Sequence, residues 1–97
     1  MGEQYEDAAY IIGAKFETMG LLAFRQIIPL DLVEELIGGT VVGFWKSLRP
    51  WIEHQRMQKG EARLLEWFQW LAERLAERAR SSQAPAYELY RNWRVRP

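Results

Sequence analysis

From Leu64 to Ala79 the apolar residues return every three or four positions: Leu64, Leu65, Phe68, Leu71, Ala72, Leu75 and Ala79. Glu66, Glu73 and Glu77 alternate with Arg63, Arg74, Arg78 and Arg80 on the remaining positions. That spacing matches the 3.6-residue period of a helix with one apolar stripe, and it excludes a strand, whose side chains alternate. The same period recurs at Tyr5, Ala8, Ala9, Ile12, Phe16 and Met19, and at Val33, Leu36, Ile37, Thr40, Val41, Phe44, Trp45 and Leu48. No stretch of period-two alternation competes. The chain is therefore expected to be all-α.

Punctuation divides the pattern. The first helix runs from about Gln4 to Phe24 and ends before Pro29, which biases Ile28 away from helical geometry. Asp31 reads as an N-cap, with Glu34 three residues later as its capping-box partner. Gly38-Gly39 interrupts the second helix, but the period continues across the pair, which favours a continuous helix over a turn. Pro50 then ends or kinks it. Trp51, Ile52 and Met57 line a short third helix, closed by Gly60 as the residue past its end. The fourth helix spans about Glu61 to Ser81. After Ser81-Ser82-Gln83-Ala84-Pro85, a final turn or two over Pro85–Trp93 precedes Arg94-Val95-Arg96-Pro97. The expectation is a small bundle of four main helices plus a short C-terminal one. Residues 1–80 would form the bundle, and 81–97 a linker with an aromatic, basic tail.

With 97 residues, the chain has room for one small core, and 48% hydrophobic content is enough to fill it. Five tryptophans outnumber the four tyrosines and the four phenylalanines. Large rings suit a small domain because each can bury roughly 150–250 Å². Trp45, Trp51 and Trp67 fall on or beside the apolar stripes and are assigned to the core. Trp70 falls among Arg63, Glu66, Arg74 and Glu77, where Arg74 could cover its ring. A tryptophan there needs a cover, either the C-terminal tail or a partner. Gly13 and Gly20, seven apart near the first stripe, fit a close helix–helix approach or simple tolerance.

Chemistry finds little purchase. The chain has no cysteine and one histidine, His54, in a polar run. That removes thiolate and multi-histidine metal sites and cysteine nucleophiles. The glycines lack phosphate-loop spacing, and the carboxylates sit at a helix start or at ion-pairing distance from arginines. No catalytic residue, cofactor or metal is expected, and the protein reads as non-enzymatic. No stretch reaches about 18 apolar residues, as a membrane span would need. The N-terminus is acidic, unlike a secretory signal. The expected location is cytoplasmic.

The zero net charge conceals polarity. Residues 1–40 are net −5 and residues 41–97 net +5, and ten of the thirteen bases are arginine. The first reading is that acidic and basic helices pack together. The alternative is a bipolar molecule whose basic half faces nucleic acid, anionic lipid or an acidic protein. Tyr87, Tyr90, Arg91, Trp93 and Arg94 concentrate aromatics and arginines in the tail. It either docks on the bundle, anchors a protein partner or stacks on unpaired bases, in that order.

One resemblance supplements this reading. Trp45-x3-Arg49-Pro50-x-Ile52-x3-Arg56, followed by Gly60-x2-Arg63-Leu64-x-Glu66-x-Phe68-x2-Leu71-Ala72, resembles a bacterial helical family of unknown function. Ile28, Leu30, Asp31, Leu32, Val33 and Gly38 fit it too, and the similarity covers roughly residues 5–78. Relatives often carry transmembrane segments ahead of this region, so the resemblance implies a juxtamembrane cytoplasmic module. It brings no catalytic residues.

The functional expectation is a small interaction or accessory protein that binds a partner or itself. Its candidate contact residues are Arg63, Trp70, Arg74, Tyr87, Tyr90, Arg91, Trp93 and Arg94. A nucleic-acid module using the basic half, and an inhibitor presenting the acidic half, are the alternatives.

Overall fold

Glycine sets how closely the first two layers approach. In the computed structural model, which describes residues 3–78 and 84–96, α1 runs Glu3–Phe24 and buries Ala9, Gly13, Gly20 and Ala23. These small residues form the centre of its inner face, flanked by half-buried Tyr5, Ile12, Phe16 and Met19. A Cβ on Gly13 would lie 2.8 Å from a Leu65 methyl, and one on Gly20 would lie 2.2 Å from the Trp67 carbonyl oxygen. Of the two sequence readings, close approach is what the structure has.

α2 spans Leu30–Lys59 and α3 spans Glu66–Arg78. α3 packs against both other long helices, while α1 and α2 meet far less. In the core, Phe68, Leu71, Ala72 and Leu75 of α3, with Leu65 just before it, are buried with Val33, Val41, Trp45, Leu48, Trp51 and Ile52 of α2. No strand occurs among the described residues, so the all-α reading stands.

The helix count differs from the expected four. Pro50 lies inside α2 and does not end it. Its ring removes the amide that would bond the Lys46 carbonyl, but Lys46 and Pro50 are both exposed, so water can take that carbonyl. Trp45, Leu48, Trp51 and Ile52 pack into the core on both sides of the proline and hold the helix through it. The break in α2 is instead at Ile37, with φ −144° and ψ 17°, immediately before Gly38-Gly39. Burial along α2 follows Val33, Val41, Trp45, Leu48 and Ile52. Leu36, Thr40 and Met57, expected inside, face solvent, with Leu36 71% and Met57 84% exposed. The non-helical Ile37 breaks the regular period that ran through Val33, Leu36 and Thr40.

Ends also shift. α2 begins after Pro29, whose carbonyl accepts from the Leu32 and Val33 amides, so Asp31 is inside the first turn and does not cap it. Gly60 closes α2 as expected, with φ 64° and its amide on the Arg56 carbonyl. α3 starts at Glu66, not at Glu61, because residues 61–65 form turns that end on Leu65 at φ 54°. The left-handed conformation is unfavourable for leucine, yet it drops that side chain into the space Gly13 leaves open. The expected Ala79–Ser81 end lies outside the described residues. A last short helix, α4, spans Ala86–Leu89 and packs on none of the others.

Candidate protein-interaction surfaces

α3 lacks a local cap, and its first turn is completed from another helix. The Glu17 carboxylate on α1 accepts from the backbone amides of Trp67 and Phe68, each at 2.8 Å. Burial pushes this carboxyl above its ordinary range; the two amides and Arg56 pull it down, but burial is the larger effect. From α2, Arg56 donates to the Leu64 carbonyl at 2.9 Å and to the Gln69 side-chain oxygen at 2.8 Å, and its guanidinium stands 6.0 Å from the Trp45 ring centroid. Glu17 and Arg56 thus fix the α2–α3 turn and the start of α3. Sequence reasoning assigned neither. The available signal was a helix start with no Ser, Thr, Asp or Asn before it, whose amides must find an acceptor elsewhere.

Trp70 has a cover within the bundle. Phe24, the last residue of α1, meets Trp67 at 4.6 Å and Trp70 edge-on at 5.6 Å between centroids, and the two tryptophans meet at 6.1 Å. Trp67 and Trp70 are both half-buried. Arg74 ion-pairs with Glu77 at 2.8 Å, and its Nε is buried without a partner. Arg63 pairs with Glu66 at 3.2 Å on the surface. Beside Trp70 an open concavity of about 620 Å³ is walled by Phe24, Ile28, Pro29, Asp31 and Arg78. Arg78 binds Asp31 and lies 3.9 Å from Glu34, which raises the guanidinium's proton affinity. This is where acidic and basic segments meet across helices, at the exit of α3 and the entry of α2.

The tail stands apart from that surface. Tyr87, Tyr90 and Trp93 are 72, 64 and 63% exposed, and Arg91 and Arg94 are exposed beside them. Arg94 donates to the Trp93 and Arg91 carbonyls and so stiffens the turn after α4. Of the eight contact candidates, the structure groups Arg63, Trp70 and Arg74 on or beside α3. Tyr87, Tyr90, Arg91, Trp93 and Arg94 form a second, separate group. Among the described residues no cluster of three His, Asp or Glu could hold a metal ion, and no helix is long and apolar enough to cross a membrane. His54 is exposed, near Tyr5 and Trp51 at a concavity of about 300 Å³.

Three long helices sharing a tryptophan-rich core, with a detached aromatic tail, define a small all-α domain. The chain belongs to the family described as "Domain of unknown function (DUF4760)", whose model matches residues 3–75. The match ends inside α3 and leaves the tail outside it. No curated protein matches the chain, and no solved structure does.

Proposed function

We propose that the protein is a non-enzymatic interaction module of the cytoplasm, which binds a protein partner or a copy of itself through its C-terminal tail. The observation that supports this reading is the tail's exposure. Three aromatic rings, each more than three-fifths exposed, alternate with Arg91 and Arg94 and pack on no helix of the bundle. Aromatic and arginine side chains dominate the energetics of protein interfaces: the rings bury a large area at few rotatable bonds, and the planar guanidinium makes several directed hydrogen bonds. The α3 face contributes less, since Phe24 already covers much of Trp70 and Glu77 holds Arg74.

The experiment compares partner capture by the full chain with that by Trp93→Ala and Tyr90→Ala variants, with cross-links mapped by mass spectrometry. Truncating a hot-spot ring costs about 2 kcal/mol or more, a roughly thirty-fold loss of affinity. Unchanged capture by both variants would overturn the reading. Neither substitution should alter thermal unfolding, because the tail supports none of the bundle.

A further inference from the structure

We infer that the tail of one copy docks on the outward face of α2 of a second copy, and that the two copies exchange tails reciprocally. This rests on the tail being the binding element and names its receptor.

The receiving face is a strip of α2 that the bundle leaves bare. Leu32 and Leu36 before the kink at Ile37, and Gly39 and Gly43 after it, are all exposed. Leu32 is 47% and Leu36 71% exposed. A Cβ on Gly39 or Gly43 would meet nothing within 4 Å, whereas those on Gly13, Gly20 and Gly38 would meet neighbours. Glycine is a poor residue for a helix interior, and among the described residues no contact offsets that at Gly39 and Gly43. Two leucines followed by bare backbone form a shelf on which a flat ring can lie close to the main chain.

Charge specifies the occupant. The acidic end of the strip carries Asp31 and Glu35, and further along its flank stands Lys46. The tail runs in the reverse sense: Glu88 first, then Arg91, Arg94 and Arg96. Laid antiparallel on α2, it brings Glu88 to Lys46 and its arginines to Glu35 and Asp31, while Tyr90 and Trp93 cover the leucines and glycines. Glu35, Lys46, Glu88 and Arg91 make no ion pair among the described residues. A second copy satisfies both halves at once, because each chain presents one free tail and one bare strip, and a two-fold axis closes both. Arg78, at the end of α3, is bonded to Asp31 and near Glu34 at the acidic end of the strip.

The test is sedimentation equilibrium of the full chain as a function of concentration and salt. The expected result is a dimer that weakens as salt rises. Glu35→Lys and Trp93→Ala should each raise its dissociation constant at least tenfold without changing the bundle's thermal unfolding. The double variant Glu35→Lys with Arg94→Glu, which restores opposite charge across the exchange, should recover most of the loss. A chain that stays monomeric throughout overturns the inference, and so does a dimer indifferent to both single substitutions. If the chain is monomeric but Trp93→Ala abolishes capture of another protein, tail binding stands and self-exchange fails. If capture is also unchanged, both fail.

Discussion

Gly20 faces the Trp67 carbonyl so closely that a methyl group at this position would lie 2.2 Å from the oxygen and 3.2 Å from the Trp67 Cβ. The obstacle is backbone at the start of α3, which cannot rotate aside as a side chain can. Gly20→Ala should therefore force the two helices apart. The cost is expected at or above the upper end of the ~1–3 kcal/mol typical of overpacking, with concerted loosening of Glu17 from the α3 amides. Gly39→Ala, in open space, should do the opposite and stabilise the monomer by about 0.5–1 kcal/mol through helix propensity. Urea unfolding of the two variants checks the difference in sign.

Arg56 carries the turn between α2 and α3 by bonding the Leu64 carbonyl and Gln69 with two different nitrogens of one planar group. A lysine ammonium cannot span both acceptors while lying near the Trp45 ring. Arg56→Lys should cost about 1–2 kcal/mol in urea unfolding, although the charge is kept. An unchanged midpoint would mean that Leu65 and Phe68 hold the turn by burial alone.

These contacts mark the boundary of what local sequence could reveal. The α3 stripe through Phe68, Leu71 and Leu75 was legible because burial there follows a single helical period. Trp45 and Trp51 were legible for the same reason, and Gly60 because a left-handed C-terminal residue selects glycine. Pro50 was not: whether a proline ends a helix depends on whether core residues before and after it share one packing surface. Nor was the start of α2, where Asp31 answers Arg78 from 47 positions away. Trp70 shows the limit most clearly. The helical wheel places it among charged residues, yet it is half-buried against the core, and its cover, Phe24, comes from the far end of another helix. In the candidate surface, the tail's composition was visible and its separation from the bundle was not, because separation is a property of three-dimensional packing.

Phe24 is 52% exposed yet closes one side of the Trp67–Trp70 pair. Phe24→Ala should leave the helices in place and admit water to both indoles. The lost ring contacts are worth about 0.5–1.5 kcal/mol beyond the area they bury. Tryptophan fluorescence in a Trp93→Ala background, which removes the exposed tail ring, should shift red and become more easily quenched by acrylamide. An unshifted spectrum would show that the two indoles shield each other without Phe24.

Glu17 separates hydrogen bonding from charge. Glu17→Ala deprives the Trp67 and Phe68 amides of their acceptor and should cost about 1–2 kcal/mol at neutral pH, the range for a lost helix cap. Glu17→Gln keeps an acceptor oxygen and removes a charge that burial disfavours, so at neutral pH it should be tolerated. The pH dependence follows from the raised carboxyl. The folded chain holds this proton more tightly than the unfolded chain. The stabilisation from protonation is fully present below the unfolded value of about 4.5 and is lost as pH rises through the higher folded value. Relative to Glu17→Gln, the natural protein should therefore gain stability as pH falls from 7 toward 4. The comparison cancels every other titrating group shared by the two chains. A difference that shrinks or reverses on acidification would mean that the α3 amides and Arg56 outweigh burial at this carboxyl, and that Glu17 caps α3 as a favoured carboxylate.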